Sequence, residues 1–182
     1  MNDVVLATIC LIEKDGKYLM LHRTKKENDM HEGLWVGLGG KNEPGESPEE
    51  CVVREVYEES GLTVKNPILR GIMTFPDAWA SSSKTKTRRG SDFERPAPDD
   101  SGLNGKNWYV FLYTASDFSG ETKECDEGEL AWIEKDKIGD LPMHAGDYLF
   151  FKWVDECKGV FSAKFEYDNG KFIGHKVFVY GD

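Results

Sequence analysis

The stretch GKNEPGESPEECVVREVYEESGL, Gly40 to Leu62, carries seven glutamates against two cations, Lys41 and Arg54. Its centre is a helix signal. Ser47 is a candidate N-cap, Pro48 suits the first helical position, and Glu50 falls three residues after the cap, completing a capping box. Gly61 supplies a C-terminal stop. The spacing predicts a helix from Ser47 to Ser60, with Cys51, Val52 and Val56 as its apolar stripe. Glu49 and Glu50 sit in the first turn, where the helix dipole favours negative charge. Glu55, Glu58 and Glu59 sit in the last two turns, where it does not. Their spacing puts these three on one face, where like charges repel by a few tenths of a kcal/mol per pair when exposed, on the order of magnitude known for isolated helices. Local stability has yielded to something else there. Hard divalent cations such as Mg²⁺, which take carboxylate, water and phosphate oxygens, resolve the conflict. A solvated acidic face is the other reading, and charge alone does not choose between them.

The full spacing is Gly40, five residues, Glu46, seven residues, then Arg54-Glu55-Val56-x-Glu58-Glu59-x-Gly61-Leu62. This meets all nine constrained positions of the Nudix box, G-x5-E-x7-R-E-U-x-E-E-x-G-U, and the chain resembles the Nudix (MutT-type) hydrolases over residues 40–62. The resemblance implies an α/β/α sandwich around a central mixed β-sheet. It implies hydrolysis of a nucleoside diphosphate linked to another group, with Mg²⁺ or Mn²⁺ as cofactor. Glu55 and Glu59 then match the main metal ligands, Glu58 a further ligand or water-activating group, and the Gly39 carbonyl a backbone ligand. Glu46 and Arg54 match a bracing pair, structural like Gly40 and Gly61.

Outside the box, LWVGLGGK (Leu34 to Lys41), CDEGELAWIE (Cys125 to Glu134) and LPMHAGDYLFFKW (Leu141 to Trp153) are similar to segments of the oxidised-purine nucleoside triphosphatases. By that likeness Glu127 is an additional ligand or general base, and Asp147 the acid that reads a base edge. Thr8 and Arg23 fall where substrate contacts occur, and Lys41 can approach phosphates. The plainer readings are a buried strand residue for Thr8, a solvated side chain for Arg23 and a helix N-cap for Asp147. Two positions depart from the pattern. Val36 stands where the subfamily has Asn, and His144 where it has a stacking aromatic. Both bear on base preference and leave metal-dependent hydrolysis untouched.

The rest of the chain fits that frame. Its 182 residues suit one domain, 1–182, able to bury a core, and 39% hydrophobic content marks it as globular. A net charge of −10 argues against gripping a DNA or RNA duplex through a basic face. No stretch approaches the about 20 apolar residues that span a bilayer, and no signal peptide is evident, so a cytoplasmic protein without membrane partners is expected. Cys10, Cys51, Cys125 and Cys157 form no zinc spacing and read as free thiols; four scattered histidines argue against a histidine metal site.

Strands are expected at Val4–Ile12, Tyr18–His22, a short Leu34–Leu38, Leu62–Phe75, Asn107–Ser116 and Leu130–Glu134. A second helix is expected at Asp147–Cys157, and a hairpin at Val160–Tyr180 around Asp168-Asn169-Gly170. Residues 77–106 read as a long flexible insertion. Its basic cluster, Lys84, Lys86, Arg88 and Arg89, reads as a phosphate-touching lid or as a solvated loop. The expected substrate is a (deoxy)nucleoside triphosphate, an oxidised purine such as 8-oxo-dGTP, cleaved to monophosphate and pyrophosphate, which removes a mutagenic precursor of DNA. Its rivals are ADP-ribose, a dinucleotide polyphosphate or a capped RNA end. A non-catalytic nucleotide sensor is a further rival, although such proteins lose box glutamates that this chain keeps. The sequence does not reach oligomeric state.

Overall fold

The computed structural model describes residues 3–25, 31–76, 106–168 and 171–181. The insertion at 77–106, apart from Lys106, and the hairpin tip at 169–170 lie outside them. So do the basic cluster and its reading as a lid.

The sheet is built on β1 (Val4–Lys14), whose apolar run is buried on both faces from Ala7 to Ile12, while Val4 and Leu6 stay exposed. β1 lies parallel to β6 (Asn107–Ala115), in register from Val4↔Asn107 to Ile12↔Ala115. β6 pairs antiparallel with β5 (Ile68–Phe75), and β5 pairs parallel with β9 (Val160–Asp168). β9 forms the expected hairpin with β10 (Lys171–Tyr180). On the far side β2 (Lys17–Arg23) carries β8 (Gly128–Glu134) along its whole length, Lys17↔Glu134 to Arg23↔Gly128. Parallel and antiparallel pairs together make the sheet mixed.

Helix α1 (Pro48–Ser60) packs Val52 and Val56 against Cys10, Ile12 and Leu19 on one face. Helix α2 (Asp147–Glu156) packs Phe150, Phe151, Trp153 and Val154 against Leu11, Met20, Phe161 and Phe165 on the other. The result is the α/β/α layering expected from the sequence.

One departure from regular pairing positions the site. β1 and β2 pair over only Ile12↔Leu19 to Lys14↔Lys17 and then splay apart. Residues 34–41 fill the gap. β3 (Trp35–Val36) pairs with His22 and Leu21 of β2, while Leu38 and Lys41 bridge to Cys10 and Ala7 of β1. The amides of Thr8 and Cys10 donate to the carbonyls of Gly40 and Leu38 at 2.8 and 2.6 Å.

The strand expected at Leu62–Phe75 is divided. β4 (Thr63–Val64) pairs with a short β7 (Phe118–Ser119), and Asn66 turns the chain at φ 49° before β5 begins. Pro67 cannot donate to a ladder, so the break falls there. β8 starts two residues earlier than expected, and a 3-10 turn at Lys135–Asp140 follows it.

The caps of α1 form as the sequence predicts. Glu50 N–H donates to Ser47 Oγ at 3.2 Å, Ser47 N–H donates to Glu50 Oε2 at 2.8 Å, and Gly61 closes the helix in the left-handed region at φ 78°. Ser47→Ala should lower unfolding free energy by about 1 kcal/mol, and Ser47→Gly by only a few tenths. Urea denaturation of the two variants checks this; equal losses would mean that the hydroxyl does not cap.

Candidate active site

Arg54 organises the charged end of α1. Its Nε and Nη2 clasp both oxygens of Glu46 at 2.8 and 2.9 Å, a forked pairing. Its Nη1 donates to Glu55 at 2.8 Å and to Glu58 at 3.3 Å, and Nη2 also reaches the Lys41 carbonyl at 3.2 Å. Glu46 further accepts the Glu43 amide at 2.9 Å. Its hydrogen bonds with Arg54 and this amide hold its carboxyl down at about 2. This pair ties the loop before α1 to the helix, the bracing role the sequence assigns it.

Two glycines bring backbone against carboxylate. A Cβ on Gly40 would stand 2.4 Å from the Glu55 carboxylate, so only glycine lets Glu55 lie flat on the chain. Gly39 has φ 148° and its Cβ would meet the Thr8 carbonyl at 2.1 Å. Its amide donates to Glu59 Oε2 at 2.8 Å. The carbonyls on either side of it, at Leu38 and Gly40, are taken by β1.

Glu59 is 8% exposed. Burial, with added repulsion from Glu127 and Glu55, pushes its carboxyl up to about 8, against the pull of the Gly39 amide and Arg23. Burial also raises Glu55, opposed by Arg54 and aided by Glu58 and Glu127. Glu58 lies at the solvent margin, its side chain 57% exposed against 17% for Glu55. Glu127, just before β8, pairs with Arg23 at the end of β2. Glu55, Glu59 and Glu127 thus form one electrostatically coupled group beside Gly39 and Gly40.

Other expected residues lie elsewhere. The Thr8 hydroxyl is buried beneath α1, 3.4 Å from Cys51 Sγ. The Lys41 ammonium lies 5.3 Å over the Trp108 ring, on the α2 face. Asp147 is the first residue of α2, whose N-cap is Gly146 without a side-chain cap bond. Burial pushes the Asp147 carboxyl up to about 7, and burial, with a smaller push from the Asp147 charge, raises Tyr167. Aromatic residues flank that region: Phe75 stacks on Phe165 at 5.0 Å and lies 6.3 Å from Tyr167, and His31 Nδ1 stands 2.8 Å from His144 Nε2.

Sequence reasoning missed three contributors. The Lys25 amide and ammonium hold the carbonyls of Glu127 and Cys125 at 3.2 and 2.8 Å. Gly128 lets β8 close on β2, since a Cβ there would meet the His22 carbonyl at 1.8 Å. Tyr113 donates to Glu49 at 2.8 Å, tying the first turn of α1 to β6. A glycine directly after Glu127 was the one legible hint.

The donors fit a hard divalent cation. They are carboxylate and carbonyl oxygens, cradled where a Cβ would intrude, and Glu59 is a buried carboxyl whose charge calls for a counter-ion. As they stand, no three His, Cys, Asp or Glu side chains among the described residues form a finished chelating cluster. Gly40→Ala should displace Glu55, leave far-UV circular dichroism unchanged, and weaken Mn²⁺ binding in calorimetry by roughly tenfold or more; undiminished binding would remove Glu55 from the cation's surroundings.

Comparison with known proteins agrees with this geometry. The NUDIX domain family matches residues 3–154. The uncharacterized Nudix hydrolase YvcI of Bacillus subtilis is 29% identical over 161 residues, 88% of this chain and 85% of its own. The oxidized purine nucleoside triphosphate hydrolase of Danio rerio is 29% identical over 174 residues, 96% of this chain and 90% of its own. The crystal structure of the MutT protein of Bacillus halodurans superposes with a TM-score of 0.72 at 31% identity, covering 95% of this chain and 97% of that one. The splayed strands, the glycine-cradled carboxylates and these matches converge: the chain belongs to the Nudix family, of MutT type, and is a hydrolase of nucleoside diphosphate derivatives.

Proposed function

We propose that the enzyme hydrolyses a (deoxy)nucleoside triphosphate, an oxidised purine such as 8-oxo-dGTP, to the monophosphate and pyrophosphate, using Mg²⁺ or Mn²⁺. The observation that carries the reading is the coupled group Glu55, Glu59 and Glu127 against Gly39 and Gly40. Glu55, Glu59 and the Gly39 carbonyl would hold the ion, with Glu58 and Glu127 at its margin. When bound, a divalent ion neutralises phosphate oxygens and makes a water more acidic. Glu127 or Glu58 then accepts the proton from the attacking water, and Arg54 keeps Glu55 oriented throughout. Lys41 would have to leave the Trp108 ring to bring its cation to the polyphosphate.

The purine choice rests on the α2 face. Asp147, poised near 7, can donate a hydrogen bond when protonated and accept when ionised. Trp35, Trp108, Phe75 and Tyr167 pack around the same core and offer flat apolar surface. The relative from Danio rerio, matched along nearly its whole length, supports an oxidised purine. Val36, which pairs with Leu21, brings an aliphatic side chain to the position where the subfamily has an amide. ADP-ribose is therefore the substrate to set against it.

Initial rates with Mg²⁺ on 8-oxo-dGTP, dGTP and ADP-ribose, with products separated by chromatography, test the reading. The expected result is the highest kcat/KM for 8-oxo-dGTP, with monophosphate and pyrophosphate released; a higher value for ADP-ribose would overturn the purine assignment. Glu59→Gln should lower kcat by at least roughly a hundredfold while the fold persists. The ratio of kcat/KM for 8-oxo-dGTP over dGTP should change between pH 6 and 8, as Asp147 loses its proton. Asp147→Asn should flatten that profile; the same pH dependence in the variant would place base reading elsewhere.

A further inference from the structure

We infer that Arg23 is a resident counter-cation of the carboxylate group, which positions the Glu127 side chain and competes with a divalent ion for it. The inference rests on the proposed place of Glu127 beside the ion. Arg23 closes β2 opposite Gly128, and its Nη1 bonds Glu127 Oε2. Both side chains are largely withdrawn from water, 13% and 25% exposed. The same guanidinium also favours the ionised form of Glu59. One cation therefore serves two of the three coupled carboxylates.

The backbone around Glu127 has bonds of its own. The Lys25 amide holds the Glu127 carbonyl at 3.2 Å, the Lys25 ammonium holds the Cys125 carbonyl at 2.8 Å, and Cys125 bridges to Gly128. What the Arg23 guanidinium adds is the direction and the neutralisation of one carboxylate. A carboxylate oxygen that accepts from a guanidinium offers less charge to an arriving ion, and two cations crowded on it repel. Metal must share Glu127 with Arg23 or displace it. A polyphosphate, which draws a guanidinium strongly, takes Arg23 away and leaves Glu127 to the ion or the water. Nucleotide and metal binding are then positively coupled, and by reciprocity each tightens the other.

The sign separates this role from ordinary structural support. Removing a mere prop loosens the site and weakens metal binding. Removing a competing cation takes a neutralising guanidinium from a largely buried carboxylate, which then binds metal more tightly and destabilises the metal-free protein. Mn²⁺ titration followed by electron paramagnetic resonance, with thermal unfolding of the same samples, reads both. Arg23→Gln should bind Mn²⁺ more tightly, by roughly tenfold, because the repulsion between two cations is removed. Its metal-free Tm should fall, and Mn²⁺ should raise it more than in the wild type. Arg23→Lys keeps the charge without the fork and should fall between, which preserves the test if the Gln variant folds poorly. Arg23→Gln combined with Glu127→Gln should lose the gain. Unchanged or weaker Mn²⁺ binding in both Arg23 variants, with Glu127→Gln alone weakening it, overturns the inference and leaves the reading of Glu127 standing. Unaltered Mn²⁺ binding and turnover in Glu127→Gln overturn that reading and this inference with it.

Discussion

The site depends on keeping several carboxylates side by side at the wrong end of a helix. Arg54 makes this tolerable. Its guanidinium satisfies Glu46 through two bonds and still reaches Glu55, Glu58 and the Lys41 carbonyl. A lysine could not do so, because a single ammonium lacks the planar fork. The consequence is a division of labour among residues of one charge. Glu46 and Glu49 are spent on structure, held by Arg54 and Tyr113. Glu55 and Glu59 are pressed against glycines and lifted toward neutrality by burial. Repulsion that local structure does not relieve is left for a cation to relieve.

The splay of β1 from β2 turns this local device into a site. Had the hairpin continued in register, β1 and β2 would have filled each other's edges. Instead residues 34–41 run through the gap and serve both faces of the sheet. Trp35 packs into the core under α2, and the Lys41 ammonium lies over Trp108 on that face. Gly39 and Gly40 present backbone to Glu59 and Glu55 of α1. A change in one face of this segment therefore reaches the other through a few residues of chain.

How much of this the sequence discloses follows from how local each cause is. Caps, helix limits and the nine box positions are read within about twenty residues, because capping and i,i+4 spacing are local effects. The hairpin of β9 and β10 is equally local. The division of residues 62–75 into β4 and β5 is not, since β4 exists by pairing with Phe118–Ser119, far along the chain. Thr8 illustrates the same limit. Its type and strand position are shared by a substrate contact and a core residue, and only the approach of Cys51 on α1 puts its hydroxyl beneath the helix. The union of Glu127 with Arg23 needed the β2–β8 register, which no composition or periodicity encodes.

The separation of chemistry from recognition explains why the reaction class was legible and the base was not. The carboxylate group is assembled from one helix, one loop and one strand start, and its demand for oxygen ligands and glycine cradles fixes residue types at fixed spacing. The proposed base-reading face, packed against α2, has no such grammar. It would draw on Asp147 from a helix start, Phe75 and Trp108 from strand ends, and His31 and His144 from two loops that touch at 2.8 Å. Any flat apolar ring can stack on a base, and any buried acid can be tuned to donate or accept, so many residue sets meet that need. What burial against α2 does set is the direction in which Asp147 is shifted, up to about 7. Under the proposed reading, a carboxyl that holds both protonation states near neutral pH would accept from a base edge that offers a donor and donate to one that offers an acceptor, and oxidation of a purine changes that pattern.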